Sequence, residues 1–336
     1  SQSDVRTAER VFLGAAGLPE FEVGAAEPFV EDQLMRALHS RADGSSPQDE
    51  WPLLRDLYLW FYGHFPRRRS QLRSLIGRTL RSAAHFTHRS APVGPLLEVL
   101  EPVIRGFKAP LESVHKALFF ELLLPLHRSN DWQQWDRQTP IIAMFHKELV
   151  RCILVFLQKQ PQLAPRCVEV VCSFFPTSRE SNTPKEVLLV YEISQLLRLM
   201  DQRMFQQVSS LVLQQMVRLL GSHNSQPIQS VLQYWKDDRI ASLFAAMSTE
   251  FIPVLLPALL RGGEPFWNPT VNRMTTLVLE KLEASNPEAF FHAAEDLWGP
   301  GKQVPAFVIA RAEARAAEKR ASAAREEGGG SPAAPK

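Results

Sequence analysis

The chain has 336 residues, of which 45% are hydrophobic and 22% charged, and its formal net charge is only +2. It is longer than the chains that usually fill one compact core, so several domains or a repeat architecture are expected. The small net charge argues against a polyanion as the main partner. Three cysteines, Cys152, Cys167 and Cys172, form neither an even disulfide framework nor a metal-ligand spacing, and we expect no metal or other cofactor.

The chain falls into four predicted regions. Residues 1–50 are predicted to be a partial or divergent N-terminal repeat followed by a loop. In residues 51–304 apolar positions recur at helical spacing with almost no strand alternation, which predicts a repeat solenoid. Residues 305–327, rich in Ala, Arg and Glu, are predicted to form a solvated helix, and residues 328–336 a disordered tail.

A series of regularly spaced prolines predicts the architecture. The six prolines, 42 to 45 residues apart, are Pro52, Pro95, Pro140, Pro184, Pro227 and Pro269. Each precedes an apolar stretch at helical spacing, and proline is favoured at the first helical position. Thr139, Thr183 and Asn268 directly precede three of the prolines and are predicted helix caps. A period of roughly 40–47 residues is typical of paired-helix repeats. We therefore predict an all-α, HEAT-like α-solenoid, a right-handed superhelix of helix pairs.

Catalytic and membrane signatures are missing from the sequence. No metallophosphatase string (GDxHG, GDxxDRG or GNH), Walker loop, GxSxG elbow or HExxH motif occurs. No apolar run reaches the ~18 residues that a membrane span needs, and the first ten residues do not read as a signal peptide. The prediction is a protein that is not an enzyme, does not enter a membrane, and is found in the cytoplasm, the nucleus or both.

Six segments carry a resemblance to a known family. They are Leu96–Phe107, Leu122–Arg128, Phe145–Lys159, Pro184–Leu197, Tyr234–Leu243 and Phe266–Val271. In order and spacing they resemble the central and C-terminal repeats of the B-prime family of protein phosphatase 2A regulatory subunits. The resemblance runs from about Tyr62 to Phe291 and extends more weakly back to Val11. Two N-terminal repeats of the family have no counterpart, so the chain is either a fragment or divergent there.

The resemblance implies a non-catalytic adaptor. In that family the solenoid docks on the scaffold and catalytic subunits of the phosphatase, and its concave face holds Leu-x-x-Ile-x-Glu motifs of substrates and adaptor proteins. Tyr62 and Arg69 match a Tyr and an Arg of that peptide groove, and His115 matches a retained His. Val99 and Val103 fall on the two apolar positions that wall the Ile site.

The resemblance also implies an altered acid pocket. Leu59 and Trp60 stand where the family has the His-Arg pair that receives the motif's Glu, and Glu112 stands where it has a Lys. We expect peptides with the terminal Glu to bind poorly. The groove then accepts a variant motif with an apolar residue at that position, or is closed to peptides because Leu59 and Trp60 only pack the helix.

Basic and histidine residues leave further alternatives. Six arginines cluster within fifteen residues: Arg67, Arg68, Arg69, Arg73, Arg78 and Arg81. They form a solvated face, or a site for an acidic or phosphorylated peptide with Arg67, Arg68 and Arg73 as contacts; nucleic acid is the least favoured ligand because interleaved aromatic residues are missing. His127 and His146 are expected to be hydrogen-bonded core or groove residues.

Two functions therefore stay open at this point. The first is a regulatory, substrate-targeting subunit of a protein phosphatase 2A holoenzyme. The second is a HEAT-repeat scaffold that has lost phosphatase docking and binds other acidic or phosphorylated partners.

Overall fold

The computed structural model describes residues 51–85, 93–128, 140–176, 182–260 and 265–297. Within these ranges the regular structure is helical and no strand occurs, which confirms the predicted all-α, HEAT-like fold. The predicted N-terminal repeat (1–50), solvated helix (305–327) and tail (328–336) lie outside the described residues.

The described α-helices follow one another along the chain. They are α1 (Trp51–His64), α2 (Arg69–His85), α3 (Val93–Arg105), α4 (Ser113–Leu118), α5 (His146–Lys159), α6 (Ala164–Ser173), α7 (Thr183–Leu197), α8 (Gln202–Gln206), α9 (Ser209–Leu220), α10 (Ser225–Leu232), α11 (Asp238–Ala245), α12 (Ser248–Leu260), α13 (Pro269–Ser285) and α14 (Pro287–Leu297). Short 3-10 segments cover Pro66–Arg68, Leu124–Arg128, Ile141–Met144, Pro161–Leu163 and Gln233–Lys236, and a π segment covers Phe119–Leu123.

The spaced prolines mark helix starts, with one exception. Those in the first turn of a helix are Pro52, Pro95, Pro184, Pro227 and Pro269. Pro140 instead precedes the 3-10 segment Ile141–Met144, and α5 begins at His146. The period therefore predicts the repeat, although at Pro140 the α-helix starts one short turn later.

The predicted caps have mixed outcomes. Asn268 caps α13, because its side chain accepts a hydrogen bond from the Thr270 N–H at 2.9 Å. Thr183 was the wrong choice for α7. The helix begins one residue earlier than expected, so Thr183 is its first residue and Asn182 accepts from the Lys185 N–H at 3.2 Å. Thr139 lies outside the described residues.

The chain forms two compact units, Ser1–Leu211 and Val212–Lys336. In the first, α3 packs against α1, α2 and α5, and α7 packs against α5 and α6. In the second, α12 packs against α11, α13 and α14, and α10 packs against α13. Each unit is thus built from helices that bury an apolar face against sequence neighbours, as in repeat proteins. That residues 51–304 form a single solenoid stays a prediction.

Candidate functional site

The first candidate site is the turn between α1 and α2, which we call the α1–α2 corner (residues 59–73). Helix α1 ends at His64, and Pro66 opens a 3-10 turn in which its missing N–H costs no hydrogen bond. Arg69 then begins α2, and its backbone N–H donates to the Pro66 carbonyl. Because of this tight turn, the first residues of α2 lie beside the last turn of α1.

Arg69 closes the end of α1. Its Nε donates to the Tyr62 carbonyl at 2.7 Å and its Nη2 to the Gly63 carbonyl at 3.2 Å. Its guanidinium carbon also lies 5.1 Å from the centroid of the Tyr62 ring, within the range of a cation–π contact. The last carbonyls of a helix have no partner within the helix, and a cation there also opposes the negative end of the helix dipole. Arg69 therefore stabilises the corner itself.

A second arginine holds the same tyrosine. Arg73 Nη1 donates to the Tyr62 hydroxyl at 2.8 Å, so Tyr62 is fixed from both sides. Arg68 is half-buried and donates to Gln71 Oε1 at 3.0 Å, whereas Arg67 is exposed. The structure thus brings together Tyr62 and Arg69, predicted as groove residues, with Arg73, predicted as an anion contact.

The positions of the altered acid pocket lie on α1. Leu59 and Trp60 are both half-buried. The Trp60 ring stacks on His64 with centroids 4.6 Å apart and meets Phe65 edge-on at 5.7 Å. Its indole Nε1 is shielded from solvent and has no hydrogen-bond partner among the described residues. Trp60 therefore combines a packing role with an unsatisfied donor.

The predicted apolar walls of the groove are buried. Val99 is 1% and Val103 5% exposed, on the face of α3 that packs into the core. An ion pair of 3.0 Å between Arg55 and Glu98 also joins α1 to α3. A ligand can reach these valines only if covering side chains move. Their role as groove walls stays a prediction.

Glu112 and His115 act together at the start of α4. The Glu112 side chain accepts from the backbone N–H of His115, and the Glu112 N–H donates to His115 Nδ1 at 3.2 Å, which completes a capping box. The His115 ring stacks on Phe107 with centroids 4.0 Å apart. A carboxylate at a helix N-terminus is favourable, so Glu112 has a local structural reason. In the described part of the chain we find no hydrogen bond or ring contact that joins this pair to Tyr62 or Arg69.

A buried polar cluster occupies the core of the first unit. Glu192 accepts from His127 Nε2 at 2.9 Å and from His146 Nε2 at 3.0 Å. His127 Nδ1 lies 2.8 Å from the Leu124 carbonyl, and Lys185 Nζ donates to the His127 carbonyl at 2.9 Å. All four ionisable side chains are buried. The prediction that both histidines are hydrogen-bonded is confirmed, and the structure places them in the core.

The charges of the cluster stabilise each other. Burial favours the neutral form of Glu192, but the charge of His127 and the hydrogen bonds from both histidines outweigh it and lower the Glu192 pKa to about 2. Burial likewise opposes the charged form of His127, but the adjacent Glu192 carboxylate raises the His127 pKa above its usual value. The cluster is therefore a buried ion pair with a second histidine as donor. Sequence reasoning missed Lys185 and Glu192, which lie seven residues apart and hence on one face of α7.

Metal and membrane sites were searched within the described ranges. There, no group of three or more His, Cys, Asp or Glu side chains is placed to hold a metal ion. No single described helix is long and apolar enough to cross a membrane; α11 and α12, which meet at an angle of 105°, pass that length and composition test only as a pair.

Comparison with known proteins gives the family. The model described as "Protein phosphatase 2A regulatory B subunit (B56 family)" matches residues 10–303. The chain belongs to this family. B56 proteins are regulatory, non-catalytic subunits, in agreement with the absence of catalytic motifs from the sequence.

Individual B56 relatives are distant and longer. The human phosphatase 2A 56 kDa regulatory subunit delta isoform is 25% identical over 279 residues, which cover 83% of this chain and 44% of the relative. The regulatory subunit pptr-1 of Caenorhabditis elegans is 25% identical over 280 residues, 83% of this chain and 49% of the relative. The B' eta isoform of Arabidopsis thaliana is 25% identical over 280 residues, with 83% and 52% covered. The chain spans about half the length of the curated relatives it matches.

Proposed function

We propose that this chain is a non-catalytic, substrate-targeting subunit of a serine/threonine protein phosphatase 2A. The observation that carries the proposal is the B56 match over residues 10–303, on a chain whose described part is all-helical. The relatives bear the name of phosphatase 2A regulatory subunits. The absence of catalytic motifs from the sequence supports a role in choosing substrates, with the chemistry supplied by another subunit.

The proposed partners are of two kinds. The first are the scaffold and catalytic subunits of the phosphatase, and the second are substrate or adaptor proteins that carry short linear motifs. We place the complex in the cytoplasm, the nucleus or both. The three cysteines are buried free thiols, which is compatible with a reducing compartment.

The proposed motif site is the α1–α2 corner together with α3 and the Glu112–His115 capping box. Tyr62, with Arg69 and Arg73 fixed around it, supplies a rigid aromatic platform, and such preorganisation lowers the entropy cost of binding. The cations that would receive an acidic residue are replaced by Leu59, Trp60 and Glu112. A ligand carboxylate there lacks charge-assisted hydrogen bonds worth about 1.5–3 kcal/mol each. The site is proposed to bind motifs that lack this acid.

Affinity purification tests the proposal. The tagged chain, expressed in cells, should co-purify phosphatase scaffold and catalytic subunits, identified by mass spectrometry, whereas the tag alone should not. Adding the purified chain to a scaffold–catalytic core should then change which phosphopeptides are dephosphorylated, with no turnover by the chain alone. Recovery of other proteins without either phosphatase subunit would contradict the proposal and favour a scaffold that has lost phosphatase docking.

A further inference from the structure

We propose that the pocket around Trp60 selects a neutral hydrogen-bond acceptor, such as the side-chain amide of Gln or Asn, at the position where an acidic motif carries its carboxylate. The inference rests on the peptide site of the proposed function and names the ligand chemistry of that site. It follows from one unsatisfied donor and from the way the surrounding charges are already engaged.

The unsatisfied donor is the indole N–H of Trp60. Its Nε1 is shielded from water and finds no acceptor among the described residues. A buried donor without a partner costs about 1–3 kcal/mol, so native proteins rarely leave one unexplained. An acceptor brought by a ligand removes that cost. An apolar ligand side chain does not, and this favours an amide over the aliphatic residue that the sequence alone suggests.

The nearby cations already have partners within the protein. Arg69 donates to the Tyr62 and Gly63 carbonyls, and Arg73 donates to the Tyr62 hydroxyl. Releasing either guanidinium for a ligand carboxylate would break these bonds and free the end of α1. The corner therefore holds its positive charge in structural contacts.

The ring neighbours of Trp60 do not compensate a carboxylate. Phe65 is apolar, and the Nδ1 of His64 is used within α1, where it meets the Trp60 carbonyl at 2.9 Å. A carboxylate that enters this pocket loses far more hydration than an amide and gains the same single donor. A neutral acceptor is thus the ligand group with the smallest penalty and a real gain.

Three peptides on the full chain test the inference. They share the sequence Leu-Ala-Ala-Ile-Ala-x, flanked identically, with Gln, Glu or Leu at x, and are titrated by fluorescence polarisation at pH 7.5. The Gln peptide should bind about tenfold more tightly than the Glu peptide and about threefold to tenfold more tightly than the Leu peptide, as expected for one net hydrogen bond. Equal or tighter binding of the Glu or Leu peptide, or no binding of any of the three, would overturn the inference.

A matched pair of variants locates the effect. Trp60→Phe keeps the aromatic packing on His64 and Phe65 but removes the donor, and it should abolish the advantage of Gln over Leu. Trp267→Phe makes the same change in the second unit, at a 70% exposed ring whose Nε1 donates to the His223 carbonyl, and should leave all three affinities unchanged. A Gln advantage that survives in Trp60→Phe would contradict the inference. Should that variant fail to fold, the ranking on the wild-type chain still decides.

The failure of this inference differs from the failure of the proposed function. Phosphatase co-purification is measured on the same preparations. Bound phosphatase without a Gln preference contradicts the inference alone. A Gln preference without bound phosphatase supports the inference and contradicts the phosphatase assignment.

Discussion

His127 Nε2 lies 2.9 Å from Glu192 Oε2, and both side chains are fully buried although 65 residues separate them in sequence. The other ring nitrogen of His127 meets the Leu124 carbonyl at 2.8 Å. Because both acceptors face a ring nitrogen, both nitrogens must carry hydrogen, so His127 is an imidazolium. The pair connects the 3-10 segment Leu124–Arg128 to α7 by a charge-assisted contact in the core.

The buried pair predicts a pH optimum for stability. The pKa of Glu192 is lowered to about 2, so its contribution is present above the unfolded value near 4.3 and is lost as pH falls toward 2. The pKa of His127 is raised, so its contribution is present below the unfolded value near 6.5 and is lost as pH rises through the folded pKa. The free energy of unfolding should therefore be highest between about pH 4.5 and 6.5, measured by urea titration across pH. A value that still rises above pH 7 would contradict a charged His127.

Removing the anion should be severe. Glu192→Gln leaves His127 and Lys185 without their buried carboxylate, and breaking such a pair typically costs about 3–5 kcal/mol. The matched control is Glu250→Gln at an exposed position of α12, which should stay within about 0.5 kcal/mol of wild type. Urea denaturation of the three proteins gives the comparison. A loss below 1 kcal/mol in Glu192→Gln would show that the pair contributes little.

The sequence predicts local features well and long-range contacts poorly. Pro184 and Pro269 mark helix starts because their effect depends only on neighbouring backbone. Glu192 was missed because a charged residue in a helix normally faces water, and only packing against the segments that carry His127 and His146 makes it a core residue. At the candidate site, the identities of Tyr62 and Arg69 come from the family resemblance. Their contact depends on the turn at Pro66, which no spacing rule specifies.

The second unit should depend on Trp235. Its side chain is 4% exposed and lies 5.2 Å, between ring centroids, from Phe244. Trp235→Ala should lower the free energy of unfolding by about 3–5 kcal/mol because it leaves a large cavity. Trp267→Ala, at an exposed ring, serves as the control and should cost less than about 1 kcal/mol. Similar losses in both variants, measured by denaturant titration, would place Trp235 outside the core.

The capping box predicts the effect of restoring a cation at position 112. Glu112→Lys removes the side chain that accepts from the His115 N–H and places a positive charge at the N-terminus of α4. The expected loss is about 0.5–2 kcal/mol of stability, seen as a lower urea midpoint. Glu112→Asp keeps a capping carboxylate and should be nearly neutral. An unchanged midpoint in Glu112→Lys would mean that the cap is not formed in solution.

Rebuilding the acid pocket should reverse its specificity. Leu59→His with Trp60→Arg supplies two cationic donors on α1 and leaves Glu112 in its cap, so the fold of α4 is undisturbed. Affinity for a Leu-x-x-Ile-x-Glu peptide should rise by about 2–4 kcal/mol, roughly 30- to 700-fold, because charge-assisted hydrogen bonds replace an apolar contact. Leu59→Met with Trp60→Phe, which adds no charge, is the control and should bind this peptide no better than wild type. Calorimetric titration of the three proteins gives the affinities. Micromolar binding by the unaltered chain would show that another cation, with Arg67 the first residue to test, already receives the acid.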